Sequence, residues 1–263
     1  MKVAWARGIC AGLVACAVAG SARAADMTLP APPPLSAPAP VPGYNWSGFF
    51  VGGHLGYGWG SEAITLTPDS HYPSGSIPPA IAADPGGVVA GVQYGTNWQF
   101  DRLVLGTESD FSFTDIRRSQ TILTTTPNVT NTGEQKLPWF GTTRVRAGYT
   151  LQDNLLIYAT GGLANGRAEA SFSAFGPGIG AVGSRSKTLW GWTLGGGLEY
   201  GMGPWSGKVE FLHYDIGTLT FYTIDTKIQG ASIKASTKFA GDMVRVGVNY
   251  RFDWTPWQLI FGR

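Results

Sequence analysis

Thiols, charge and long apolar runs are all scarce in this chain of 263 residues, and each scarcity excludes something. The only two cysteines, Cys10 and Cys16, sit at the extreme N-terminus, so a chain trimmed there has no thiol and no disulfide framework. Charged residues make up only 14 %. No interior run approaches the roughly 18 apolar residues that a membrane-spanning helix needs. Three histidines, His54, His71 and His213, leave little material for acid–base chemistry or metal binding. What is plentiful is glycine, at 38, and aromatic side chains, at 13 %.

The N-terminus reads as a targeting segment. Lys2 and Arg7 precede an apolar stretch from Gly8 to Gly20, and Ala22-Arg23-Ala24 supplies a small-x-small cleavage pattern. Residues 1–24 are therefore read as a signal peptide; the rival is a lipoprotein-like box at Leu13-Val14-Ala15-Cys16. Losing Lys2, Arg7 and Arg23 leaves sixteen bases against seventeen acids, which removes any basic character that would suggest nucleic acid. Residues 25–43 form a proline-rich linker, because proline removes backbone donors and favours extended polyproline II.

From Tyr44 onward the texture is alternation. Phe49, Val51, Leu55, Tyr57 and Trp59 share one parity, and small or polar residues such as Gly52, His54 and Gly56 share the other. Period-two patterning of this kind is a strand with one apolar face. Runs of the same type recur from Val88 to Phe100, Leu103 to Phe113, Trp139 to Tyr149, Leu155 to Asn165, Trp190 to Tyr200, Trp205 to Tyr214 and Val244 to Phe252. In the fifth run Leu155 and Leu156 compete for the apolar face, so its parity stays open.

Eight strands result, each close to the 9–11 residues that cross a bilayer at a tilt. Their connections alternate. Residues 60–87, 114–137, 166–187 and 218–238 are long, and 101–102, 151–154 and 201–204 are short. Aromatics sort into two bands, with Trp46, Trp98, Phe100, Tyr149, Tyr200, Trp205, Tyr250 and Phe252 near the turn end, and Tyr57, Trp59, Phe111, Phe113, Trp139, Trp190 and Trp192 near the other. Bilayer interfaces produce such girdles. The expected fold is an all-β, eight-stranded, antiparallel up-and-down transmembrane barrel over residues 44–252, with four long surface loops and short periplasmic turns. A lipocalin-like soluble barrel is the alternative; it would turn its apolar face inward.

The polar parity collects Glu108, Asp110, Arg144, Arg146, Glu199, Lys208, Glu210, Arg245 and Arg251. A cation facing lipid at midplane costs roughly 2–4 kcal/mol, so these charges are expected in the lumen, as an ion-pair network that plugs it or as the lining of a narrow gated path. Catalysis finds little support: no nucleophile stands with a histidine and an acid at telling spacing, and metal-ligand spacings and cofactor motifs are absent. His54 is expected in the lumen and His213 at a lipid-facing rim. His71-Tyr72 in the first long connection is a possible ligand loop, since both side chains can hold haem iron.

Several segments resemble one family. Tyr44-Asn45-Trp46-Ser47-Gly48-Phe49-Phe50-Val51-Gly52-Gly53-His54 is similar to the opening strand of the small OmpA-like outer-membrane barrels of alphaproteobacteria, the porin-family or outer-membrane immunogenic proteins. Gly191-Trp192-Thr193-Leu194-Gly195-Gly196-Gly197-Leu198-Glu199-Tyr200, Lys208-Val209-Glu210-Phe211 and Val244-Arg245-Val246-Gly247-Val248-Asn249-Tyr250-Arg251-Phe252 resemble that family's sixth, seventh and closing strands. The resemblance implies an insertion signal at Tyr250 and Phe252. Here eleven residues, 253–263, extend past it. It also implies a non-catalytic protein of the outer membrane, without a cofactor, that supports the envelope and displays its loops; a narrow pore and a haem or receptor binder are the alternatives. The expected partners are membrane lipid and lipopolysaccharide, the barrel-insertion machinery, and periplasmic or peptidoglycan contacts through the linker.

Overall fold

The computed structural model describes residues 44–125 and 128–252. The segments read as signal peptide, linker and C-terminal extension lie outside the described residues.

Eleven strands are present among the described residues: β1 (Gly48–Trp59), β2 (Glu62–Pro68), β3 (Ala80–Ala83), β4 (Gly86–Phe100), β5 (Leu103–Thr125), β6 (Asn128–Gln152), β7 (Leu155–Gly176), β8 (Ile179–Met202), β9 (Trp205–Tyr222), β10 (Ile224–Asp225) and β11 (Ile233–Phe252). Eight of them, β1, β4, β5, β6, β7, β8, β9 and β11, form an antiparallel ring in that order. The ring closes by pairing β1 with β11, from Phe49↔Phe252 to Trp59↔Asp242. Closure removes the sheet edges, which lipid could not satisfy.

Tight turns join the strands at one end. Asp101 takes a left-handed conformation (φ 54°), as does Gly203 (φ 59°), so these two hairpins reverse within two residues. Just inside this end the barrel is floored by Trp46, Val104, Leu156 and Tyr158, with Tyr44 packed edge-on to Trp46. Trp46 thus lies inside the barrel, not in the turn-end girdle: it precedes the first paired residue of β1, so the strand's parity does not govern it. Leu156 faces the same floor, which settles the parity of the fifth ring strand.

The remaining girdle aromatics face outward, Trp139 and Phe252 only partly exposed. Between the two bands the outer surface carries Val51, Leu55, Val92, Leu105, Val145, Leu163, Leu194, Val209, Val246 and other large apolar side chains, all exposed.

The long connections are themselves largely strand. β5, β6, β7 and β8 run for 23, 25, 22 and 24 residues, about twice what a bilayer requires. Most of 114–137 and 166–187 therefore forms two tall hairpins, the second turning at Pro177-Gly178 with Gly178 at φ 75°. Within 60–87, β2 and β3 form a hairpin that continues the wall by pairing β2 with the upper part of β11.

Pairing irregularities mark the level where membrane barrel passes into extension: Phe113/Ile116 on β5, Lys136/Phe140 on β6 and Lys238/Ala240 on β11. Above them the interior is apolar, packed with Ile64, Ile81, Ile116, Leu137, Phe172 and Ile233 among others.

Candidate functional site

The inward face of the membrane barrel places four acids, Glu108 and Asp110 on β5, Glu199 on β8 and Glu210 on β9, among four bases, Arg144 and Arg146 on β6, Lys208 on β9 and Arg245 on β11. Alternation puts each on the lumen side, and the antiparallel register stacks them at similar height: Glu108 pairs with Arg144, Glu199 with Lys208, and Glu210 with Arg245.

Contacts also cross the lumen. Arg144 Nη2 lies 2.5 Å from Glu108 Oε1 and 3.0 Å from Asp110 Oδ2, while its Nη1 reaches Glu210 Oε1 at 3.0 Å. Arg146 joins Glu108 at 3.3 Å to Glu199 at 2.5 Å. Lys208 Nζ sits 2.6 Å from Glu108. Arg245 holds Asp110 at 3.1 Å and forms a further ion pair with Glu210. None of these eight side chains is more than 3 % exposed. Buried charges of this kind persist only when paired and hydrogen-bonded.

Neutral groups complete the shell. Tyr158 Oη donates to Glu210 (3.0 Å), Ser206 Oγ and Asn249 Nδ2 donate to Glu199 (2.5 and 2.9 Å), and Thr142 Oγ1 donates to Asp110 (2.5 Å). The Arg146 guanidinium lies 4.1 Å from the Tyr158 ring centroid, a cation–π contact. Sequence reasoning missed Tyr158 because its strand had an undecided parity. Gly197 is what admits that ring: a Cβ there would meet Tyr158 Oη at 2.9 Å.

Arg251 does not join the network. It lies half-buried at the turn end, donating to the Ser47 carbonyl (3.3 Å), with its guanidinium 5.3 Å from the Tyr44 ring. His54 faces the lumen above the charges, hydrogen-bonded to Gln93 (3.2 Å) and Ser112 (2.8 Å). His213 is on the outward face, 2.8 Å from Asp242 and against Trp192 at the outer rim. Tyr250 packs between Trp205 and Phe252, each ring centroid 4.9 Å away, at the closing seam.

The His71–Tyr72 pair separates. His71 is exposed, its Nδ1 3.1 Å from Asp69. Tyr72 turns into the apolar interior of the extension and is buried, and that burial, with the nearby Asp225 carboxylate, pushes its hydroxyl well above the ordinary range. Only His71 is left to meet a surface ligand, so the two do not form an exposed pair.

A profile of the outer membrane protein beta-barrel domain family matches residues 12–252. The chain is 35 % identical over 242 residues to the 31 kDa outer-membrane immunogenic protein of Brucella melitensis, covering 91 % of this chain and 97 % of that one. It is 30 % identical over 222 residues to the 25 kDa outer-membrane immunogenic protein of Brucella abortus, covering 84 % and 86 %. Among solved structures it is similar to the outer membrane protein OprG of Pseudomonas aeruginosa, with a TM-score of 0.43 and 11 % identity over 81 % of this chain and 99 % of that one.

Proposed function

Because the chain belongs to the outer membrane protein beta-barrel family and its relatives are outer-membrane immunogenic proteins, we propose that it is a sealed, non-catalytic barrel that supports the envelope and displays a rigid surface extension. The observation that carries this reading is the neutral cluster of four acids and four bases, buried throughout, that fills the lumen. An eight-stranded barrel is just wide enough for side chains to fill it, and here they do so with complementary charge. The apolar packing above adds a second seal: Phe140 and Tyr214, ring centroids 4.9 Å apart, lie with Leu212 and Met243 in the interior over the ions.

In this reading the chain's partners are lipid and lipopolysaccharide around the girdles, the barrel-insertion machinery at Tyr250 and Phe252, and periplasmic contacts through residues 25–43. Residues 1–24 serve as the removable targeting segment.

The test is single-channel recording of the refolded protein in a planar lipid bilayer. The expected result is silence across a wide voltage range. Reproducible steps that change on Arg144→Gln or Glu210→Gln would overturn the sealed lumen and promote a pore.

A further inference from the structure

The wall of the extension is discontinuous at one place. β8 pairs with β9 from Met202↔Trp205 up to Trp192↔Asp215, and with β10 at Val182↔Ile224 and Ala181↔Asp225. Between those ladders, residues 183–191 of β8 pair only with β7, and residues 218–222 of β9 pair only with β11.

The cause is local. Gly217 takes a positive φ of 96°, and opposite it β11 shifts register between Lys238 and Ala240. An irregularity of this kind bends a strand and switches its parity. Ile216 faces inward below it, and Leu219 and Phe221 face inward above it. β9 thus parts from β8 along a seam pinched at both ends, where a Cβ on Gly191 would strike the Asp215 carbonyl and one on Gly183 would lie 2.9 Å from Thr223 Cα.

Four features of the seam point the same way. Its two strand edges lack ladder partners. Ser184, Arg185, Ser186, Lys187 and Thr188 are all exposed, so both faces of β8 meet solvent here. Arg185 reaches across and donates to the Thr220 carbonyl (2.7 Å), standing in for a missing ladder donor, and among the described residues no carboxylate forms an ion pair with Arg185 or Lys187. Finally, the upper end of the seam exposes an apolar cluster, Val182, Tyr222 and Ile224, at 41, 64 and 74 %.

We propose that this seam is a docking edge for an extended polypeptide segment that carries acidic side chains and an apolar residue at one end. The segment adds to β8 as a strand. Its backbone takes the amides and carbonyls that alternate residues of 184–190 turn away from β7, its carboxylates engage Arg185 and Lys187, and its apolar end covers Val182 and Ile224. The opposite use of the same residues is to guard an open edge against pairing.

To decide, the full chain refolded in detergent micelles is titrated with a labelled synthetic peptide that alternates threonine and glutamate and ends in leucine. Binding is read by fluorescence anisotropy and amide hydrogen exchange. The expected result is saturable binding, slowed exchange confined to residues 184–190 and 218–222, and at least about threefold weaker binding when Arg185→Ala and Lys187→Ala are combined. N-methylation of alternate peptide amides should abolish it. Equal binding of the N-methylated peptide, or its displacement by a sulfated polysaccharide with no change in exchange, would reduce the seam to a basic patch and overturn strand addition. No binding by protein that keeps heat-modifiable gel mobility would assign Arg185 and Lys187 to guarding the edge.

Discussion

The two halves of this molecule are built from the same strands with opposite interiors. On β5, Glu108 and Asp110 face inward and Leu105, Phe111 and Phe113 face outward; farther along, Ile116 faces inward while Asp115, Arg117 and Ser119 are exposed. β7 repeats the change, from outward Ile157 and Leu163 to outward Arg167 and Glu169, with Ala168, Ala170 and Phe172 buried above. The difference teaches that burial follows the surrounding solvent. In water, removing apolar area contributes about 25 cal/mol per Å², so the extension hides its apolar side chains. Lipid offers no such gain. The membrane half is held by its closed ladder and by charges that have nowhere else to go.

The sharpest way to break this comparison is to leave the charged interior unbalanced. Arg245→Met removes one of the two guanidinium partners of Asp110 and of Glu210, the other being Arg144, and leaves the buried cluster with one negative charge uncompensated. We expect a loss of about 3–5 kcal/mol in urea unfolding from micelles, because a buried charge without its partner is strongly destabilising. An unchanged midpoint would mean that water reaches these groups.

The matching lesion above is Leu137→Ala, at a side chain 2 % exposed in the apolar interior. Its expected cost is about 2–5 kcal/mol of lost transfer energy and cavity. If the halves are energetically separate, faster amide exchange will be confined to the extension, and the folded band will survive in SDS at room temperature. Loss of that band would show that the halves unfold as one unit.

The two interiors were not equally legible in the sequence. The membrane strands announce themselves because bulky side chains alternate with glycine, as in Leu55-Gly56-Tyr57-Gly58-Trp59. The lumen charges follow from the cost of placing them in lipid, and eight of the nine expected residues do meet. Arg251 shares their parity but not their height, which alternation cannot report. The extension reads as loops because its contrast is locally weak: along Ala168-Glu169-Ala170-Ser171-Phe172-Ser173-Ala174 three of the four inward side chains are alanine, alternating with polar residues. Irregularities near residues 113–116, 136–140 and 217 shift the ladder where the environment changes, and nothing in a simple period shows them. A polar pair in a connection reads as surface, whereas the connection between β2 and β3 folds the Tyr72 ring into the apolar interior.

A smaller effect should appear at the top of the extension under acid. The Asp225 carboxylate accepts from the amides of Lys227 (2.7 Å) and Ile228 (2.9 Å), and from Gly180 on β8. Burial opposes its charge, but these donors prevail and hold its pKa below the ordinary value. Because the folded pKa is depressed, the stabilisation is fully present above the usual carboxylate pKa of about 4 and is lost as pH falls through the lower folded value. Exchange at Lys227 and Ile228 should therefore quicken below about pH 4. In Asp225→Asn it should already be quick at neutral pH, without the acid step.

The smallest effect belongs to the outer face just above the rim, where charges meet water. Lys136 lies 2.9 Å from Glu134, with both side chains more than a third exposed. Arg117 stands directly across the ladder from Lys136 and pairs with its own Asp115. Exposed pairs of this geometry contribute under about 1 kcal/mol, since solvent screens them and two side chains must be ordered to form them. Lys136→Ala should shift the urea midpoint only slightly, and salt near 1 M, where the Debye length falls to about 3 Å, should erase the difference. The Arg245→Met defect should persist in the same salt, because its charges lie where counterions do not reach. A salt response shared by both variants would mean that the lumen is open to water after all, and that the two halves differ in composition but not in solvent.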